Sequence, residues 1–174
     1  MTELYNAISG NDLEEARRLI KAGADVNAKE GCDATPLYFA VYNGYLEMTQ
    51  LLIDSGADVN AKDEYGYTVL IMAFILLSPP KAMSLGGVEI AKLLIDKGAD
   101  VNVRNVYGNA PMHWAADREN VEMAQLLIDK GADIEVKNKW GVTPLHWAVR
   151  KGGVEIAQLL IDKGADVNAK DNKG

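Results

Sequence analysis

Two histidines, one cysteine and a recurring set of aspartates are the residues of this chain whose types and spacing could do chemistry. His113 and His146 stand 33 residues apart, at equivalent places in two copies of one motif. Equivalent places on neighbouring helices lie ~8–10 Å apart, whereas a metal holds its ligands at about 2 Å. The pair is poorly spaced to share a metal, and each imidazole is expected to tie its own segment to a nearby loop. Cys32 has no histidine near it in sequence. A nucleophile needs a base and a group that orients the base, so an exposed reactive thiol fits this position and a catalytic one does not. The aspartates of the Gly-Ala-Asp phrases come one per segment and belong to turns, not to the converging pair that acid–base chemistry uses. No glycine-rich phosphate loop is present; Gly86-Gly87 and Gly152-Gly153 read as helix breaks. These residues predict no enzyme, no cofactor and no metal.

The chemistry expected is therefore recognition, and composition narrows its kind. Eighteen Lys and Arg against 25 Asp and Glu leave a net charge of −7. That argues against nucleic acid and against anionic membrane surfaces, both of which are bound mainly through Lys and Arg. It favours partners with basic patches. The single cysteine excludes an intrachain disulfide, so nothing depends on an oxidising compartment. The longest apolar run, Val69–Leu77, is far short of the roughly 20 residues of a membrane span. The N-terminus shows no basic stretch followed by an apolar one. A cytoplasmic setting is the expectation, and an effector exported by a non-standard route would carry the same signature.

The elements that position these residues follow from one phrase. Leu-Leu-Ile-Asp-Lys-Gly-Ala-Asp-Val-Asn ends at Asn102 and at Asn168, with variants ending at Asn27, Asn60 and Glu135. The successive spacings are 33, 42, 33 and 33 residues. A fixed period of this size marks a repeat architecture. It divides the chain into 1–29, 30–62, 63–104, 105–137 and 138–170, with 171–174 opening a further copy. In the last full segment Thr143 can cap a helix with its hydroxyl, and Pro144 suits the first helical position. Gly152-Gly153 ends that helix. Val154, Ile156, Ala157, Leu160 and Ile161 give a second apolar pattern, closed by Gly164. Each segment thus predicts helix, turn, helix and an extended hairpin-like loop. Neither helix buries its apolar face alone, so the segments must stack.

Thr143-Pro144-Leu145-His146-Trp147-Ala148, followed by the glycine break and the repeated phrase, closely resembles the ankyrin repeat. The resemblance covers nearly the whole chain. It implies an all-α solenoid of about five stacked helix-turn-helix units in a single domain, 1–174, with β-hairpin-like loops between units. It also implies protein binding through a concave groove and the loop tips, without catalysis. Departures from the pattern are local. Tyr38 stands in the histidine place, Thr68-Val69-Leu70-Ile71 lacks both proline and histidine, and Ala110 lacks the capping hydroxyl, a loss worth ~1 kcal/mol. Segments three and four are therefore expected to be the weaker ones. The extra nine residues, 77–85, fall between the two helices of segment three. They form either a loop beside the binding face or a cover for neighbouring turns. Asn27, Asn60 and Asn168 stand where some animal members of the family are hydroxylated.

The candidate partner-binding residues are those that recur in frame without being needed by the scaffold. Four residues after the threonine place stand Phe39, Met72, Trp114 and Trp147. Seven and eight after it stand Tyr42 and Asn43, Ile75 and Leu76, Asp117 and Arg118, and Arg150 and Lys151. These offsets share one helical face, which in ankyrin-like stacks lines the concave surface. The loop tips hold Tyr65, Tyr107 and Trp140, with Tyr67 and Asn109 two residues on. Tyr, Trp and Arg dominate binding hot spots. The expectation is a monomer binding another protein through these rows. End-to-end contact through the uncapped last segment is the variant, and a spacer segment without its own ligand is the alternative.

Overall fold

The computed structural model describes residues 3–31, 33–76 and 86–174, which form ten α-helices and two isolated antiparallel bridges. Cys32, the 77–85 insertion and the side chain of Leu76 lie outside the described residues. Each sequence segment supplies one helix pair. Segment one gives α1 (Glu3–Ser9) and α2 (Leu13–Lys21), and segment two gives α3 (Pro36–Tyr42) and α4 (Leu46–Asp54). Segment three gives α5 (Val69–Leu76) and α6 (Gly86–Asp96). Segment four gives α7 (Pro111–Asp117) and α8 (Val121–Asp129), and segment five gives α9 (Pro144–Lys151) and α10 (Val154–Asp162).

Two compact units are distinguished, Met1–Asp100 and Val101–Gly174. In the N-terminal unit α1, α3 and α5 pack side by side, and α2, α4 and α6 form a second row. Tyr5, Ile8, Leu37, Met48, Leu52, Leu70, Phe74, Ile90 and Leu94 fill the space between the rows. Each such side chain contributes about 1.5–3 kcal/mol on burial. Helix α5 reads Val-Leu-Ile-Met-Ala-Phe-Ile-Leu. A helix apolar on every side is a buried helix, and Val69 through Phe74 are all buried. In the C-terminal unit α7 packs on α9 and α8 on α10. Its core holds Ala115, Ala116, Ala124 and Ala148 beside Met112, Met123, Leu127 and Leu160.

Helix starts follow the predicted chemistry in part. Thr35 Oγ1 accepts the Tyr38 N–H at 3.3 Å, a side-chain cap. Thr143 does not cap in this way: its hydroxyl lies 2.8 Å from His146 Nδ1, and its own N–H donates to the same nitrogen at 3.3 Å. The histidine ring competes for the hydroxyl and wins. Gly86-Gly87 does not break a helix either; α6 begins at Gly86. The first helical N–H groups have no partner within the helix, so glycine is tolerated at that end. Gly152 behaves as expected, closing α9 in the left-handed conformation at φ 82°.

The asparagine that ends each phrase holds the next segment. Asn27 donates to the Gly56 carbonyl at 3.0 Å and accepts the Asp58 N–H at 2.8 Å. Asn60 does the same with Gly98 and Asp100, and Asn102 with Gly131 and Asp133. Glu135 Oε1 accepts the Asp166 N–H at 2.9 Å, but a carboxylate has no donor for the glycine carbonyl.

Candidate functional site

The loop tips are built by side chains that hold their own backbone. Asp63, Asn105 and Asn138 each accept two loop N–H groups, two and four residues on, at 2.8–3.1 Å. This Asx geometry turns the chain and lifts Tyr65, Tyr107 and Trp140 outward. In the C-terminal unit the loops are also joined to each other. The Lys139 N–H donates to the Tyr107 carbonyl at 3.0 Å, and the Asn172 N–H to the Trp140 carbonyl at 2.9 Å. Gly108 is required at one such crossing. It has φ 78°, and a Cβ there would come within 3.1 Å of the Asn138 backbone. Tyr107 and Trp140 stack with ring centroids 6.1 Å apart and planes 17° from parallel.

Below the tips, α7 and α9 present a second aromatic layer. Trp114 and Trp147 meet edge to face at 5.4 Å, and Trp147 meets His113 edge to face at 5.3 Å. The Arg150 guanidinium lies 5.3 Å from the Trp147 ring centre. Trp140, Trp147, Val142, Arg150 and Lys173 line a cavity of about 340 Å³ between the last loops and α9. The Asp117 carboxylate takes the Lys151 ammonium at 3.2 Å and the Arg118 guanidinium at 3.6 Å. Arg118 Nε has no hydrogen-bond partner among the described residues.

His113 is a tie between segments. Its Nε2 lies 3.0 Å from the Val142 carbonyl, and its Nδ1 accepts the Ala110 N–H at 3.2 Å. This pairing requires the neutral ring with the proton on Nε2. Burial disfavours the charged form and pushes the imidazole down to about 4. The Ala110 position thus lacks a hydroxyl but still has its N–H satisfied. Tyr5 does the corresponding work in the first segment, with its hydroxyl donating to the Ala34 carbonyl at 2.6 Å and the Ala28 carbonyl at 2.9 Å. Burial raises its phenol to about 12. Tyr38 instead reaches Met72 Sδ at 3.9 Å, and Ile71 is fully buried.

The structure sorts the candidate residues by access. Tyr42, Tyr65, Tyr107, Trp140, Arg150 and Lys151 are exposed, Trp140 at 54%. Phe39, Tyr67, Ile75, Trp114, Asp117 and Arg118 are half-buried. Two are interior. Asn109, at 6% exposure, accepts the Asn138 amide at 2.9 Å and belongs to the scaffold, which removes it from the contact surface. Trp147, at 9%, is wedged between His113, Trp114 and Arg150 and offers only its rim to the cavity. In the N-terminal unit Phe39 meets Tyr5 edge to face at 5.0 Å, and Tyr38 stacks on Tyr42 at 6.5 Å. Two features escaped the sequence reading. One is the tie made by Tyr5, signalled by its standing in the histidine place. The other is the pairing of Asn138 with Asn109, which no local pattern signals. On α10 and the last loop Val154, Ile161 and Val167 are exposed, with Val149 of α9 beside them.

Among the described residues no three His, Cys, Asp or Glu side chains gather to hold a metal, and no helix is long and apolar enough to cross a membrane. A family model for ankyrin repeats (3 copies) matches residues 81–171, and one for ankyrin repeats (many copies) matches residues 19–73. No curated protein matches the chain.

Proposed function

The chain belongs to the ankyrin repeat family, whose repeats are generally protein–protein interaction modules, and we propose that it is a non-catalytic module binding a partner protein through its loop tips and first helices. One observation carries this reading: Tyr107 and Trp140 are exposed, stacked and held by main-chain hydrogen bonds beside a cavity with an aromatic rim. Aromatic rings fixed before binding lose little entropy on binding. They supply the large apolar contacts that dominate interface hot spots. Asp117, Arg118, Arg150 and Lys151 supply charged selectivity beside them.

Affinity capture with the full chain tests the proposal, with the Tyr107→Ala/Trp140→Ala double variant as comparison. Both side chains lie outside the core, so far-ultraviolet circular dichroism should be unchanged. Proteins held by the original chain should be lost by the variant. Undiminished retention would move the site elsewhere. A second reading, a structural segment with end-to-end contact between copies, is favoured by the exposed Val149, Val154, Ile161 and Val167, with Val154 at 78%. In that case sedimentation velocity shows self-association that Val154→Lys abolishes.

A further inference from the structure

The net charge of −7 lies entirely on one unit. Met1–Asp100 holds eight Lys and Arg against 15 Asp and Glu, whereas Val101–Gly174 holds ten of each. Within the C-terminal unit the two signs are segregated. Its loops and first helices, 103–118, 136–151 and 169–174, hold eight Lys and Arg against Asp117 and Asp171 alone. The rest of the unit, the turns between paired helices, the second helices and the turns after them, holds two lysines against eight acids. The equivalent loops and first helices of the N-terminal unit, 1–10, 28–43 and 61–76, hold two lysines against five acids. The overall acidity therefore misdescribes the surface that carries the aromatic residues.

The positive charge of this face is not cancelled locally. Arg104 donates to the carbonyls of Gly108 and Lys137, and Lys137 donates to the Lys170 carbonyl. These acceptors are neutral, so the charges persist. Lys139, Arg150 and Lys173 are exposed and make no ion pair among the described residues. Asp117 is the one carboxylate set among the cations of α7 and α9, and it is shared between Arg118 and Lys151. Arg150 and Lys173 therefore border the cavity of Trp140 and Trp147, with Asp171 as the one carboxylate in its lining.

We propose that this face of the C-terminal unit binds an extended acidic peptide segment of a partner protein, with one aromatic or large aliphatic side chain seated in the Trp140–Trp147 cavity. The inference rests on the protein-binding reading above and names the partner's chemistry. Charge complementarity selects a polyanion. The aromatic-rimmed cavity selects a polypeptide with an apolar anchor. The strong negative charge of the N-terminal unit works against a long nucleic acid.

Fluorescence anisotropy with the full chain tests it, using three labelled twelve-residue peptides and a twelve-nucleotide single-stranded RNA. One peptide is Asp/Glu-rich with a central Phe, the second replaces that Phe by Ala, and the third replaces the acids by Lys. The acidic Phe peptide should bind at least tenfold tighter than either other peptide and more weakly as salt is raised. Lys139→Glu/Arg150→Glu should lower that affinity at least tenfold. Asp117→Asn should raise it, since it removes one of the two carboxylates of this face. Equal binding of the acidic and basic peptides, or their common failure to bind, would overturn the proposal, as would tighter binding of the RNA. Self-association abolished by Lys139→Glu/Arg150→Glu would replace the peptide by the acidic unit of a second copy. If Tyr107→Ala/Trp140→Ala abolishes capture of a partner and the charge reversal does not, the groove reading stands and the acidic partner falls.

Discussion

In Met1–Asp100 the place that joins one segment to the next is filled by Tyr5, Tyr38 and Ile71; in Val101–Gly174 it is filled by His113 and His146. The two solutions meet the same need. Tyr5 gives its hydroxyl to the Ala34 carbonyl, and His113 sets its Nε2 against the Val142 carbonyl, in each case the residue before the next helix-starting threonine. They differ in what can undo them. A phenol held at about 12 is inert across the ordinary pH range, whereas a buried imidazole held at about 4 resists a proton that the unfolded chain accepts readily. The units differ also in their aromatic packing, a Tyr5–Phe39 pair in the first and a Trp114–Trp147 pair in the second. The C-terminal unit is thus built from the very residues that make its surface useful, and it should be the more sensitive of the two.

All three tryptophans lie in the C-terminal unit, so their fluorescence reports on that unit alone. The largest effect is expected from Trp147→Ala. Removing this buried ring should cost about 3–5 kcal/mol, read as an earlier urea transition in fluorescence. A loss under about 1 kcal/mol would return Trp147 to the contact surface.

Acid comes next. The unfolded chain binds a proton at His113 near 6.5 and the folded chain only near 4, so the unfolded form holds more protons between these values. Stability is fully present above pH 6.5 and is lost as pH falls toward 4, by about 3 kcal/mol in all. Urea titrations at pH 7, 5.5 and 4.5 should show this loss in tryptophan fluorescence, and His113→Phe should flatten it.

Tyr5→Phe should cost about 1–3 kcal/mol, because the Ala28 carbonyl loses the hydroxyl and the Ala34 carbonyl keeps only the Glu30 N–H. Hydrogen exchange should show the loss in the N-terminal unit, with no dependence on pH between 5 and 7 once intrinsic rates are corrected. The smallest effect is Ala110→Thr. A conventional cap would give ~1 kcal/mol. The new hydroxyl should instead turn to the His113 ring, as Thr143 turns to His146, and thermal melting should show a gain of about half that.

Much of the fold was legible because it rests on local chemistry. Helix pairs follow from apolar spacing, Pro36, Pro111 and Pro144 mark helix starts, and Gly152 marks a stop. The binding rows were legible as types and only half legible as surfaces. A tryptophan four residues after the threonine place has the spacing of an exposed contact, yet His113 and Trp114 close over Trp147. Asn109 looked free because the amide that engages it, on Asn138, is 29 residues away. The net charge misled for a related reason: a sum over the chain erases its segregation between two faces of one unit.

The grip of Asn27, Asn60 and Asn102 on the following turn has a consequence for how such a chain changes length. Each amide is hydrogen-bonded to main-chain atoms, a glycine carbonyl and an aspartate N–H. The joint is indifferent to the side chains of the neighbour, like a standard thread on pipe. A copy duplicated, deleted or exchanged by recombination at this phrase arrives with its fitting already cut, and the helices it carries are free to diverge. Glu135, which makes half of the joint, is the one place where an exchange would give the chain a better fitting than it now has.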